Sequence, residues 1–225
     1  MKALALLTGL LVGTVTFAQT DDALAPAALE AVQERAYKLS LEFNLGFGTA
    51  PIDPFTKAYY PTLGAVIHFT DTLAWQAIRF GFVSFGAPGG PPVFSLNVNS
   101  SLRDQLERDF SVSPNSFEEI RYFLGTDLIW APLYGKSTVL NRFVINYEAY
   151  IVLGISLYKF AKDATIPLVP DAPGLNFGGG FRLFHTQHLS YRVEVTNTFG
   201  TTFKGAYDVL TAQLLVAFNF GGASE

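Results

Sequence analysis

The chain has 225 residues, no cysteine and a formal net charge of −4, with 49% hydrophobic but only 15% charged residues. A soluble domain carries about 25% charged residues, so this composition argues against an ordinary water-exposed surface. Without cysteine there is no disulfide framework and no lipid-attachment thiol, and the acidic balance excludes nucleic acid as an expected partner.

Residues 1–18 have the pattern of a cleaved secretory signal: Met1-Lys2, an apolar core, then small residues around Thr16 and Ala18. Residues 19–36 follow as a polar, alanine-rich N-terminal segment with Leu29, Val32 and Ala36 at helical spacing. Nothing later is long and apolar enough for a spanning helix. A secreted, aromatic chain with 21 Phe and 10 Tyr and no spanning helix is predicted to be a closed barrel in an outer membrane.

Alternation of apolar and polar residues marks eight strands. The first, residues 37–47, sets Leu39, Leu41, Phe43 and Leu45 against Lys38, Ser40, Glu42 and Asn44. The second, 59–69, places Leu63, Ala65 and Ile67 outward. In the third, 73–85, Ile78, Phe80 and Phe82 oppose Arg79 and Gly81, while Trp75 fits neither face, so a bulge is expected near Trp75 or Gln76. Residues 86–116 form the longest break. Within it Ser101 and Asp104 resemble a capping box, and Leu102, Leu106 and Phe110 share a helical face that predicts a short amphipathic helix.

The fourth strand, 117–131, puts Glu119, Arg121, Gly125 and Asp127 inward. A turn is expected around Tyr134-Gly135-Lys136. The fifth strand, from Arg142 to Leu157, is the clearest: Phe143, Ile145, Tyr147, Ala149, Ile151, Leu153 and Ile155 face one way, and Arg142, Asn146, Glu148, Tyr150 and Gly154 the other. Such a run exceeds the roughly 5–6 residues of a soluble strand and reaches the 9–11 needed to cross a bilayer. Strands follow at 175–184 (Gly178, Gly180 and Arg182 inward), 189–199 (Ser190, Arg192 and Glu194 inward) and 206–220. Residues 221–225 form a tail. The expected fold is all-β: an eight-stranded antiparallel transmembrane barrel with a helix in its second external loop.

A lipocalin-like soluble barrel shares the period but not the glycine-rich, weakly charged polar face, which suits a narrow lumen filled by side chains. Lys38, Glu42, Arg79, Glu119, Arg121, Asp127, Arg142, Glu148, Arg182, Arg192 and Glu194 are therefore predicted to form an internal ion-pair network that plugs the barrel. A narrow channel is the first alternative. A lipid-modifying enzyme built on His188, Ser190 and Glu194 is the second, although shared facing is not triad geometry. His68, His185 and His188 lack metal-ligand spacing, and no cofactor is expected. Membrane lipids, the barrel-assembly machinery and an envelope protein reached through the external loops are the expected partners.

Six segments stand in order along the chain: Val32-Gln33-Glu34-Arg35, Asp53-Pro54-Phe55-Thr56-Lys57, His68-Phe69-Thr70-Asp71 with Ala74-Trp75, Ser101-Leu102-Arg103-Asp104-Gln105-Leu106, Pro132-Leu133-Tyr134-Gly135-Lys136 with Leu140-Asn141-Arg142, and Arg182-Leu183-Phe184. Together they resemble the outer-membrane β-barrel domain family found in myxobacteria and related predatory bacteria. The resemblance implies a single outer-membrane barrel and little about activity; some similar barrels belong to gliding-motility machinery. The last strand is similar to that of outer-membrane barrels generally, where a terminal aromatic guides assembly. Phe218 and Phe220 match that signal, with Gly221 to Glu225 following it.

Overall fold

Alternation along the chain becomes alternation between lumen and exterior. The computed structural model describes residues 35, 37–51, 55–86, 92–111, 119–139, 143–160, 172–202 and 205–221. Signal residues 1–18, the N-terminal segment expected to be helical (Arg35 excepted), Arg142 and the tail after Gly221 lie outside the described residues. Eleven strands and one helix are present among them: β1 (Leu41–Ala50), β2 (Thr56–His68), β3 (Leu73–Phe82), β4 (Ser84–Gly86), β5 (Pro92–Ser95), β6 (Asn97–Asn99), α1 (Ser101–Phe110), β7 (Ile120–Val139), β8 (Phe143–Phe160), β9 (Ala172–Phe184), β10 (Leu189–Thr202) and β11 (Gly205–Phe220).

Strands β1, β2, β3, β7, β8, β9, β10 and β11 pair antiparallel in that order, and β11 returns to β1. Leu41 to Thr49 pair with Phe220 to Ala212 at the closing seam. The ring therefore has no open edge. Leu45, Leu63, Ile78, Leu128, Leu153, Val193 and Leu214 are exposed on its outside, whereas Glu42, Arg79, Asp127, Glu148, Arg182, Arg192 and Glu194 are buried within. A soluble protein has the opposite arrangement; this is the inside-out distribution of a transmembrane barrel.

The irregularity around Trp75 is resolved one residue further on. Gln76 pairs with Val66 and Ile78 with Ala65, so Ala77 is the extra residue of a bulge. The bulge resets the phase, which lets Trp75 and Ile78 both face out while Gln76 and Arg79 both face in. Trp75 Nε1 donates to Thr126 Oγ1 at 2.8 Å, satisfying the indole on the apolar side.

Two expected connections between strands are corrected. Tyr134-Gly135-Lys136 is not a turn but part of β7, which runs 20 residues to Val139 and pairs with β8 through Lys136–Asn146. The glycine that suggested a turn lies instead under an aromatic ring: a Cβ on Gly135 would sit 2.5 Å from the Tyr147 hydroxyl oxygen. Likewise β10 and β11 extend until Thr202 pairs with Gly205, leaving residues 203–204 between them rather than the break at 200–205 that the expected strand ends imply.

The helix is where the sequence placed it, but its cap is Ser100, not Ser101. The Ser100 side chain accepts from the Arg103 backbone N–H at 3.2 Å, satisfying an otherwise orphaned donor.

Candidate functional site: the charged lumen

The register brings the interior charges together. Glu148 on β8 lies directly across from Arg182 on β9, and Arg182 across from Arg192 on β10. From these positions the ion pairs alternate in sign along the lumen. Arg35 meets Glu148, and Glu148 Oε1 accepts from Arg182 at 3.0 Å. Arg182 reaches Glu42 Oε2 at 2.7 Å, and Glu42 Oε1 accepts from Arg192 at 2.8 Å. Arg192 continues to Glu194 at 2.8 Å, Glu194 to Arg79 at 3.6 Å, and Arg79 to Asp127 at 3.2 Å.

Removing such groups from water costs several kcal/mol per ion, so each needs more than one partner. Tyr150 supplies part of this: its hydroxyl donates to Glu194 Oε2 at 3.1 Å and accepts from Arg192 Nε at 3.0 Å. The Arg192 guanidinium also stands 4.8 Å from the centre of the Tyr150 ring. His68 Nε2 donates to Glu42 Oε2 at 3.2 Å. Nearer the loop end, Asn176 Nδ2 donates to Asp127 Oδ1 and Ser156 Oγ, both at 2.7 Å, and Thr198 donates to Asn176 Oδ1 at 2.8 Å.

Both ends of the ladder are covered by aromatic side chains. Toward the loops, Tyr60, Phe123, Tyr158, Phe160 and Tyr207 pack with ring centroids 5.0–6.1 Å apart. Toward the turns, Tyr37 and Tyr134 both contact Phe184, at 5.8 and 6.3 Å. Arg35 lies over the Tyr134 ring at 5.3 Å and donates to the Ala131 carbonyl at 3.0 Å. Arg35 and Tyr37 therefore occupy that mouth. Arg35→Ala should lower stability by about 1.5–3 kcal/mol, the value of a hydrogen bond to a charged group. Urea unfolding of the reconstituted barrel checks this, and an unchanged midpoint would show that Arg35 contributes nothing there.

Not every predicted charge joins the ladder. Lys38 is exposed ahead of β1, because pairing of the first strand begins only at Leu41. Glu119 precedes β7 and pairs with Arg103 of α1 at 2.8 Å. Arg121 is buried at the loop end of β7. Strand parity does not reveal Arg35, which lies ahead of β1 in a stretch with helical spacing, or Lys159, which is fully buried at a position of outward parity on β8. Tyr150 has inward parity but no role legible in the sequence, and His68 is legible there only as a histidine without metal-ligand spacing.

At the loop end, Arg103 is the one buried residue of α1. It donates to Glu107 at 2.9 Å, Glu119 at 2.8 Å and Thr56 Oγ1 at 3.0 Å, tying the helix to β2 and to the start of β7. Burial alone would lower its pKa, but the hydrogen bonds and charges of Glu107 and Glu119 outweigh that and hold it above the ordinary value. The predicted apolar stripe does not pack on the rim: Leu102 and Phe110 are exposed, and Leu106 is half-buried. Arg103→Ala should release α1 and speed tryptic cleavage after Arg108 several-fold. Unchanged cleavage would mean that the helix is held by other contacts.

The alternative catalytic set is not assembled. Ser190 Oγ accepts from Asn219 Nδ2 at 3.2 Å, His188 Nδ1 donates to the Asn219 carbonyl at 3.1 Å, and Glu194 is engaged by Arg192. Among the described residues no group of three metal-ligating side chains converges. Phe218 and Phe220 face outward at the turn end of β11, where Phe220 meets Phe43 edge-on at 5.8 Å.

No family model matches the chain, and no curated protein does. Among solved structures it is similar to the N-terminal β-barrel domain of Pseudomonas aeruginosa OprF, at 15% identity and a TM-score of 0.43, covering 81% of this chain and 98% of that one. It is similar to Neisserial surface protein A at 10% identity and a TM-score of 0.40, covering 80% of this chain and 97% of that one. Ail of Yersinia pestis, solved with the heparin analogue sucrose octasulfate, matches at 10% identity and a TM-score of 0.39, covering 82% of this chain and 100% of that one.

Proposed function

We propose that the protein is a non-enzymatic barrel of a bacterial outer membrane, closed along its axis, which serves as a structural and interaction component of the envelope through its external loops. The observation that carries this reading is the unbroken ladder from Arg35 to Asp127. Its charges are paired with one another rather than arranged to face a water-filled path. An eight-stranded lumen is only wide enough to be filled by its own side chains. The outward apolar residues supply the lipid belt, with the turns on the periplasmic side and α1 outside.

What projects for a partner is then the loop end, where α1 is clamped by Arg103 and presents Leu102 and Phe110. Liposomes carrying the protein should swell no faster than empty ones in isosmotic sugar or amino-acid solutions; rapid swelling would overturn the closed-barrel reading. Cross-linking in intact envelopes tests the other half. Deleting residues 100–110 should abolish any adduct formed by the full chain, and an adduct that survives would move the interaction surface elsewhere.

A further inference from the structure

Residues 86–116 read as a loop ahead of a helix, yet within them β5 and β6 have the alternation of a barrel wall. Phe94, Leu96 and Val98 are apolar, and Ser95, Asn97 and Asn99 between them are polar. Above the last β2–β3 pair, Thr62 with Gly81, the two strands separate and this segment lies between them. On one side Ser84 pairs with Ser95 and Phe85 with Phe94. On the other, Ala58, Lys57 and Thr56 pair with Asn97, Val98 and Asn99.

The residue between the two pairings is bonded to both neighbours. Leu96 N donates to the Val83 carbonyl at 3.0 Å, and the Leu96 carbonyl accepts from Tyr59 N at 3.1 Å. β3 is continued by β4 against β7, with Val83 N donating to the Arg121 carbonyl at 2.8 Å. On this flank the rim thus contains one more strand than the wall below it.

The side chains follow the same inside–outside rule. Asn97 Nδ2 donates to the Ile120 carbonyl at 3.1 Å, and Ser84 lies buried against the same carbonyl at 3.5 Å. Outside, Phe94 stacks on Phe82 of β3 at 6.4 Å with an interplanar angle of 7°. Phe85 and Val98 are exposed beside them. The apolar belt is continuous from β3 onto the inserted segment.

We infer that β4, β5 and β6 form an inserted wall segment whose outer face, Phe85, Phe94 and Val98, lies in the acyl–headgroup boundary of the surrounding lipid. Three observations carry it: the period-two pattern, the hydrogen bonds to neighbours on both sides, and the unbroken apolar surface. Backbone in hydrocarbon must have its polar groups satisfied, and Leu96 meets that condition while an aqueous loop would have no need of it. Lys57, exposed and directly across from Val98, suits such a boundary, because its stem covers apolar surface while its ammonium reaches the phosphates. The inference rests on the membrane reading above.

The chain has no native cysteine, so single-cysteine variants give unambiguous spin labels. Leu63→Cys in the belt, Phe94→Cys, Val98→Cys and Lys136→Cys on the projecting β7 would each be labelled after reconstitution into phosphatidylcholine–phosphatidylglycerol vesicles. Folding is verified by the heat-dependent gel shift of a closed barrel. The ratio of oxygen to nickel-chelate accessibility at positions 94 and 98 should approach that at 63 and exceed that at 136 several-fold. If 63 is lipid-like but 94 and 98 resemble 136, this inference is overturned and the membrane reading stands. If 63 also resembles 136, both fall.

Discussion

Replacing Glu42 by leucine should destabilise the barrel by about 3–5 kcal/mol, the cost of breaking a buried ion pair by removing one partner. Glu42 bridges two arginines: its two carboxylate oxygens separately accept from Arg192 and Arg182, and His68 donates to it as well. Its removal leaves two guanidinium groups short of a counter-charge in a lumen where neither is exposed. Urea titration of the folded protein in lipid vesicles, read by tryptophan fluorescence, gives the loss. The double variant Glu42→Leu with Arg192→Met should lose less than Glu42→Leu alone, because one orphaned charge has gone too. A loss below about 1 kcal/mol, the range of solvent-exposed pairs, would mean that the ladder stands in water.

The second large effect is steric. A Cβ on Gly180 would run into the Tyr150 hydroxyl group and approach the Val193 carbonyl oxygen at 2.7 Å. Overpacking of this kind costs about 1–3 kcal/mol. Here the ring that must move also holds Glu194 and Arg192, and a hydrogen bond to a charged group adds about 1.5–3 kcal/mol each. Gly180→Val should therefore reduce stability by several kcal/mol and slow refolding in the gel-shift assay. Adding Tyr150→Ala opens the space, so the two losses should be less than additive. A Gly180→Val barrel as stable as the parent would show that Tyr150 has another low-energy position.

The strands of the wall were legible because one physical constraint, lipid outside and a filled lumen inside, writes the same period into every one of them. Arg142 to Leu157 shows this most clearly: Glu148, Tyr150 and Val152 are buried while Ile151, Leu153 and Ile155 are exposed. The pairing of charges was less legible. Facing follows from parity within one strand, but Glu42 meeting Arg192 depends on the register of strands 150 residues apart in sequence.

The differences between expectation and structure have separate local causes. Glycine suggests a turn at Gly135, where it instead admits the Tyr147 ring. The segment Phe94–Asn99 was hidden by its Gly-Pro-rich approach and by its length, too short to cross a bilayer. Its alternation acquires meaning only beside the parting of β2 and β3. Lys38 has the right parity but lies before the first paired residue of β1, and parity alone does not mark where pairing begins.

A lumen closed from end to end by ion pairs and aromatic rings, as proposed above, carries no ionic current. Single-channel recording in planar bilayers at high salt tests it most directly. A silent membrane is expected for the wild-type chain, after insertion has been verified by protease protection. Long-lived conductance steps of uniform size, reproduced in independent preparations, would contradict it.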